Sequence, residues 1–426
     1  MRHWPATETL TPRPTPTPTQ VGSAGGIKLE VCTELGAVDE VWKSFQLRAD
    51  CTVFQSFDWL YQWQNHVGAC RKTTPVIVLG LDNGQLLFIL PLAIEDRGAV
   101  RRLTWLGSEL CDYNAPLLAT NFSDRVKPEE FGPLWRSVIR IIRTDPQLHF
   151  DMVDLDKMPG MIGSQINPFL NLPVLLRTYG AHIATLGMDW TQFFLSKRSA
   201  DTRKRERRQF KHLAEHGDVR FVDVRIQEDI ARTMSMLIEQ KKSSYARMGV
   251  EDIFARPGYQ EFFRAVVANP NLRDVVHVSR LDVGATPVAT GLGLRFKNCY
   301  YLVLSSYQGG NLARFGPGRA HLQEMLRYAI ECRFDRFDFT AGDEPYKRDW
   351  CDIDMKLFGY VEAATVKGRC VVATRTAVNR AEHFVADRPI LRRVASKART
   401  LAKALVRGLR RPPSTGRAAG TQSADV

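Results

Sequence analysis

The chain has 426 residues, 44% of them hydrophobic and 25% charged, a length for two or three domains and a composition that rules out a low-complexity or wholly disordered protein. Its net charge of +13 is concentrated in two places: residues 197–211 hold eight basic and two acidic side chains, and residues 385–426 hold ten and two. The rest is close to neutral, so a general affinity for nucleic acid does not follow, and nucleic acid is not expected among the partners.

In chain order, residues 1–26 open with Thr/Pro repeats and continue into Gly/Ser, a composition that buries no core and predicts disorder. A first half follows over 27–186. Ser56 is placed to cap a helix with Trp59, Leu60, Trp63 and Val67 on one face. Val76–Leu81, Asn83-Gly84 and Leu86–Ile94 read as a hairpin, because Asn-Gly supplies the positive φ angles of a tight turn. A strand at Val100–Leu106 and a helix near Pro133–Ile142 complete a mixed α/β unit.

The second half, over 187–375, begins with a basic helical stretch, Leu195–His216. A helix at 228–246 and another starting at Pro257 come next. Strands are expected at Val275–Leu281, Pro287–Phe296 and Cys299–Ser305, then a Gly-rich loop, a helix at 317–332 and a strand at 336–340. The tail, 376–426, carries Leu391, Val394, Ala398, Leu401, Leu405 and Leu409 between arginines and lysines. That is a basic amphipathic helix, which either packs on its own protein or touches an anionic membrane.

Cys32, Cys51, Cys70, Cys111, Cys299, Cys332, Cys351 and Cys370 include no C-x-x-C pair and no His-rich company, so neither a metal site nor a disulfide framework is expected. The chain opens without the apolar core of a signal peptide. Its longest apolar run, Leu86–Ile94, is about half of what a membrane crossing needs. A cytoplasmic protein is expected, peripheral to the inner membrane face if the tail binds there.

The chemistry concentrates in 299–350. Gly316, Pro317 and Gly318 open a helix whose apolar face is Leu322, Met325, Leu326, Ala329 and Ile330. The helix start offers unpaired amides and positive dipole charge, with Arg314 and Arg319 adjacent, a candidate site for a pyrophosphate. Just beyond the next strand, Asp343, Glu344, Tyr346 and Lys347 sit within five residues. Asp343 or Glu344 can serve as a base, and Tyr346 or Lys347 as an acid.

GDEPYKRDW after the strand FDF resembles the signature of acetyltransferases related to the cellulose-biosynthesis protein CelD, in the GNAT superfamily. FQSFDWLYQWQNHVG, LLFILPLAIEDRGAVRRLTWLGSELCDYNAPLL, PVATGLGLRFKNCYYLVLSSY and the basic run SKRSADTRKRERRQFKHLAEHG resemble further parts of that family, over roughly 28–375. The resemblance implies an α/β fold of two tandem GNAT-like halves on the Fem-transferase plan. It also implies acetyl-CoA or another acyl-CoA as donor, no metal, a sugar or amine acceptor and a frequent polysaccharide-biosynthesis setting. By the same resemblance, Leu304, Ser305 and Ser306 hold the pantetheine, and Arg314, Phe315, Gly316, Pro317, Gly318 and Arg319 the pyrophosphate. Asp343, Tyr346 and Lys347 line the reaction centre, and Trp59, Asp112 and Tyr113 face the acceptor. Glu344 beside the first set and Asp338 beside the second are further candidates from their own chemistry and position. Two readings compete with acyl-CoA transfer: a Fem-like transferase drawing its donor from aminoacyl-tRNA, and a non-catalytic adaptor of a polysaccharide-synthesis complex.

Overall fold

A computed structural model describes residues 18–96, 98 and 100–374; the tail helix expected from the sequence and the first 17 residues lie outside the described residues. The first part of the chain forms β1 (Gln20–Ala24), β2 (Ile27–Cys32), α1 (Asp39–Arg48), α2 (Phe57–Trp63), β3 (Thr74–Asp82), β4 (Gln85–Asp96) and β5 (Arg101–Trp105). It continues with β6 (Leu117–Leu118), α3 (Phe122–Arg125), α4 (Pro128–Ile142), β7 (Met152–Pro159), β8 (Met161–Ile162), β9 (Gln165–Ile166) and β10 (Leu175–Thr185). Then come α5 (Trp190–Lys197), α6 (Ala200–Ala214), β11 (Val219–Val224), α7 (Gln227–Met248), α8 (Tyr259–Ala268), β12 (Val276–Val283) and β13 (Thr286–Phe296). The last elements are β14 (Cys299–Tyr307), α9 (Pro317–Glu331), β15 (Arg336–Ala341), α10 (Pro345–Arg348) and β16 (Ile353–Ala363). Residues 366–374 are helical and begin a second unit after Thr365.

One mixed sheet runs β1-β2-β3-β4-β5-β7-β16-β10-β15-β14-β13-β12-β11, with β6 attached to β4. It contains the same motif twice. β3, β4 and β5 are antiparallel, α4 follows, and β7 returns parallel to β5. β12, β13 and β14 are antiparallel, α9 follows, and β15 returns parallel to β14. Both returning strands carry an extra residue at the same place: between Leu155 and Met158 opposite Tyr360 and Phe358, and between Asp338 and Ala341 opposite Ile183 and Ala181. A bulge of this kind bends a strand and re-aims its side chains. In both cases the residue before the shift ends is left-handed, Lys157 at φ 56° and Thr340 at φ 61°.

The two motifs exchange their last strands. β10 follows β7 in sequence and pairs with β15, whereas β16 follows β15 and pairs with β7. β10 and β16 then pair with each other and make the sheet continuous. Hydrophobic cores lie on both faces. Val78, Leu90, Trp105 and Phe169 cluster with Trp135 of α4. Tyr300, Leu302 and Phe337 cluster with Met325 and Leu326 of α9. On the opposite face Trp42, Phe54, Trp59, Leu237, Phe262 and Leu292 join α1, α2, α7 and α8 to the sheet.

Several local expectations change. Residues Gln20–Ala24, inside the stretch expected to be disordered, pair with β2. The Ser56 hydroxyl donates to Val53 O (2.7 Å) instead of capping α2. The single basic helix is two, α5 and α6, broken at Arg198 and Ser199, and the Ser199 hydroxyl caps the second (3.3 Å from Thr202 N). α8 starts at Tyr259, after Gly258 in a left-handed turn, and not at Pro257. At the end of α9, Cys332 is followed by Arg333 at φ 63°, which takes the left-handed position that glycine usually fills. The Asn83-Gly84 hairpin is as expected, with φ of 49° and 79°.

Two histidines are buried between the sheet and α9. His321 on α9 meets the Ser279 hydroxyl at 3.0 Å, and His277 meets Tyr300 Oη at 2.8 Å and Asp223 at 3.4 Å. Burial pushes His321 down to about 3, and it lowers His277 against the pull of Asp223. His321 therefore stays neutral in the fold, while in the unfolded chain it takes up a proton below about pH 6.5. Its contribution to stability is complete above that pH and falls on acidification, by about 2 kcal/mol at pH 5. Urea unfolding of the parent and of His321→Gln at pH 7.5 and 5 checks this: between the two pH values the parent should lose about 2 kcal/mol relative to the variant, and an equal pH response in both would contradict the account.

Candidate active site

Parallel pairing between β14 and β15 covers only Cys299–Tyr301 against Arg336–Asp338. Beyond that the strands part. Two irregularities accompany the parting: Val303 is extra in β14, where Leu292 and Gly293 face Leu304 and Leu302, and Thr340 is left-handed in β15. A β-branched residue at positive φ stores roughly 1–3 kcal/mol of strain, which neighbouring bonds must offset. Thr340 is held by its amide to Asp338 Oδ1 (2.7 Å), its hydroxyl to Leu302 O across the gap (3.2 Å), and its carbonyl, which accepts from Lys347 Nζ (3.2 Å).

Around this opening the structure gathers Asp112, Tyr113, Asp338, Glu344 and Lys347. Tyr113 Oη donates to Asp338 Oδ1 at 2.6 Å, joining the first part of the chain to the second. Lys347 is buried; its ammonium also meets Ala341 O at 2.9 Å and Glu344 Oε2 at 2.9 Å. Burial raises the Asp338 carboxyl to about 7, and the neighbouring Asp112 adds to the rise. The Tyr113 and Thr340 bonds and the charge of Lys347 pull the other way. Burial raises Asp112 as well, despite Lys157 and Lys347. Lys241 on α7 is lowered by burial, with Glu344 and Lys347 in its field. The site thus holds a buried carboxyl raised toward neutrality, the kind of perturbed group that marks a candidate functional site.

The acidic turn divides its roles. Asp343 accepts from His182 Nε2 (3.1 Å) and the Gly180 amide (3.4 Å), while His182 Nδ1 meets Asp354 at 2.7 Å. Burial raises the Asp343 carboxyl, but these hydrogen bonds outweigh it and hold the group below its ordinary value, so it is a weak base. Tyr346 is 41% exposed, its ring edge-on to Phe339. Trp350 is buried under the Arg198 guanidinium at 4.2 Å, and Arg198 pairs with Asp349 and Glu206. The end of the GDEPYKRDW segment therefore anchors α5 and α6.

At the start of α9, Gly316 takes φ 68° and no acidic residue occupies the first turn. Pro317 has no N–H, and the Arg319 and Ala320 amides both reach Gly316 O (3.0 and 3.1 Å), leaving the Gly318 amide at the dipole's positive end. A side chain at Gly318 would meet the Tyr307 ring at 2.9 Å. Arg319, expected at the pyrophosphate, donates to Gln209 (2.9 Å) and lies 3.9 Å from Glu206 on α6. Exposed Arg314 stacks on Phe315 (4.8 Å). The crevice here, lined by Gln209, Phe315, Gly316 and Arg319 among others, holds only about 20 Å³. On β14, Leu304 and Ser306 are buried and Ser305 is half-buried.

Trp59 does not face the site. It is 1% exposed and packs edge-on against Phe54 and Phe262. The residues that sequence reasoning passed over are Thr340, His182, Asp354 and Lys241. The first has no backbone signature in sequence; His182 and Lys241 come from β10 and α7, distant elements without a motif, and Asp354 lies just past the GDEPYKRDW segment at the start of β16. A cavity of about 1250 Å³ between α1 and β3–β4, lined by Glu30, Asp39, Glu40, Leu79, Leu81 and Leu86 among others, contains none of the candidate residues. Among the described residues no group of three or more His, Cys, Asp or Glu is arranged to hold a metal.

The repeated motif gives an internal comparison. By register, Leu155 corresponds to Asp338 and Lys157 to Thr340. The β5–β7 opening is filled from within: Lys157 Nζ donates to Glu109 O (3.3 Å) and Cys111 O (2.9 Å), and the Asn114 amide donates to Lys157 O (3.0 Å). α4 begins with Glu129 and Glu130, and Glu130 accepts from the Lys127 amide at 2.8 Å. Acids at a helix start repel an anion. The second motif has a helix start free of acids, whereas the first has acids there and its own Lys157 bonded to Glu109 O and Cys111 O at the strand opening.

Residues 200–348 match the family described as an acetyltransferase (GNAT) domain. No curated protein matches the chain. Among solved structures, FemX is 10% identical over 78% of this chain and 97% of its own, with a TM-score of 0.54. A tandem GNAT protein from the clavulanic acid biosynthesis pathway is 12% identical over 79% and 98%, with a TM-score of 0.44. L-PGS from Bacillus licheniformis is 10% identical over 79% and 95%, with a TM-score of 0.45. Residues 200–348 are thus similar to a GNAT acetyltransferase domain, and the chain's mixed α/β fold is similar to that of FemX.

Proposed function

We propose that the chain is an acyl-CoA-dependent acyltransferase with one donor site, between β14 and β15, and Asp338 as its general base. The single observation that carries this reading is the parting of these strands beside a buried carboxyl raised to about 7. The pantetheine runs along Leu304–Ser306 at the unpaired edge of β14. The diphosphate lies at the Gly318 amide and Arg314. Arg319 joins it only by leaving Gln209, so its contribution is smaller than the sequence suggests. The acceptor, an amine or hydroxyl on a sugar or small molecule, enters beside Asp112 and Lys241.

In the reaction the acceptor's lone pair attacks the thioester carbonyl carbon, Asp338 takes the acceptor's proton, and the carbon–sulfur bond breaks. The thiolate takes a proton from Tyr346, the exposed phenol of the turn. Lys347, spent on two carbonyls and Glu344, positions the turn and is not the acid. Asp343 works through His182, fixing the turn against β10 and β16. A polysaccharide-biosynthesis setting fits a sugar acceptor and rests on the resemblance of the GDEPYKRDW segment.

Calorimetric titration with acetyl-CoA tests the reading. One site per chain is expected, because the first motif is filled by its own Lys157 and 106–114 segment. Thiol release should follow when amino sugars are supplied. Folded protein that binds neither acetyl-CoA nor a longer acyl-CoA would sink the proposal, and two sites per chain would overturn the asymmetry of the motifs.

A further inference from the structure

The outer face of α6 plays no part in the proposed reaction. Lys204, Arg207, Arg208 and Lys211 recur at i, i+3, i+4 and i+7, which sets them on one stripe. All four are exposed, and none has an ion pair among the described residues. The opposite face does the packing: Leu213 and Glu206 are buried, Gln209 meets Arg319, and His212 stacks on Phe315 at 5.4 Å. The stripe therefore points to solvent. Like charges one turn apart destabilise a helix by a few tenths of a kcal/mol per pair, so the fold gains nothing from them.

The shape and chemistry of this surface favour one class of partner. The one crevice described beside α6, lined by Gln209, Phe315, Gly316 and Arg319 among others, holds only about 20 Å³ and involves none of these four residues. The one exposed aromatic of α6, Phe210, lies off the stripe, so there is no run of rings on which nucleic-acid bases could stack. A plane of anionic headgroups needs neither groove nor rings; each Lys or Arg near such a surface contributes about 1 kcal/mol. Stable peripheral attachment takes two signals. The second is present in the sequence, since residues 385–426 hold ten basic and two acidic side chains.

We propose that the outer face of α6 docks the protein onto an anionic lipid surface. This stands independently of acyl transfer. The test is co-sedimentation of the full chain with phosphatidylcholine vesicles and with phosphatidylglycerol-rich vesicles, at low and high salt. Selective binding to the anionic vesicles, lost at high salt, is expected. The variant K204E/R207E/R208E/K211E should bind at least tenfold more weakly, with its thermal unfolding unchanged. The milder K204Q/R207Q/R208Q/K211Q variant gives the same answer if the first fails to fold. Undiminished binding by the folded variant would overturn the proposal, because attachment would then not involve α6. Displacement of the protein from the vesicles by bulk tRNA at matched phosphate concentration would also overturn it, in favour of a nucleic-acid surface.

Discussion

Asp338→Asn should lower kcat by about 10²–10⁴-fold, the range for loss of a general base, while making the protein more stable at pH 8. The two effects share one cause. Asp338 is 2% exposed, and burial raises its carboxyl to about 7. In the unfolded chain the same group ionises near 4. Between these values the folded state holds a proton that the unfolded state has released, so stability falls as pH rises through that window and the full cost is present above pH 7. Asparagine accepts the same bonds from Tyr113 and Thr340 without the charge. The gain at pH 8 should be about 2–4 kcal/mol, and it should vanish below pH 4, where both forms are neutral. In the parent protein kcat should rise with pH, half-maximal near pH 7 and levelling about one unit higher. Tyr113→Phe removes a bond that favours the ionised form and should move that limb upward by about one unit. An active Asn variant, or one destabilised at pH 8, would remove Asp338 from the role of base.

Separate halves should not fold. A fragment of residues 18–186 keeps β10 but loses β16, the partner of β7; a fragment of 187–374 keeps β16 but loses β10, the partner of β15. Each would expose a long unpaired edge and an uncovered core, since Ala181, Ala184 and Leu357 are fully buried in the intact chain. A domain is typically stable by only about 5–15 kcal/mol, so losing a core strand and the Tyr113–Asp338 bond should leave neither fragment folded. Neither fragment should give a cooperative thermal transition, and co-expression should restore one. A cooperative transition in either fragment alone would show that the exchanged strands are dispensable.

This exchange also marks the limit of what the sequence reveals. Local signals were legible: the Asn83-Gly84 hairpin, the Pro317 helix start and the apolar face of α9 depend on a few adjacent residues. The pairing of β10 with β15 and of β16 with β7 is a long-range choice with no local signature. The same division holds for the site. Asp338, Glu344 and Lys347 could be picked out from the charged turn after a strand, and Asp112 and Tyr113 by their resemblance to a family, and in the structure they lie together. Trp59 lies on the helix the pattern predicts, but periodicity does not say which large apolar residue looks into a cleft, and this one is core. Thr340 matters through its backbone angle, His182 through two carboxylates over 160 positions away, and Arg319 is held by Gln209. None of these relations is written in a segment of ten residues.

The central claim is that acyl-CoA binds in the second motif and not in the first. Hydrogen exchange with and without acetyl-CoA tests it most directly, because the two motifs give separate peptides from one sample. Slowed exchange is expected in 302–319, at the free edge of β14 and the start of α9, with 103–131 unchanged. Protection confined to 103–131, or none in 302–319 at saturating acetyl-CoA, would contradict the account.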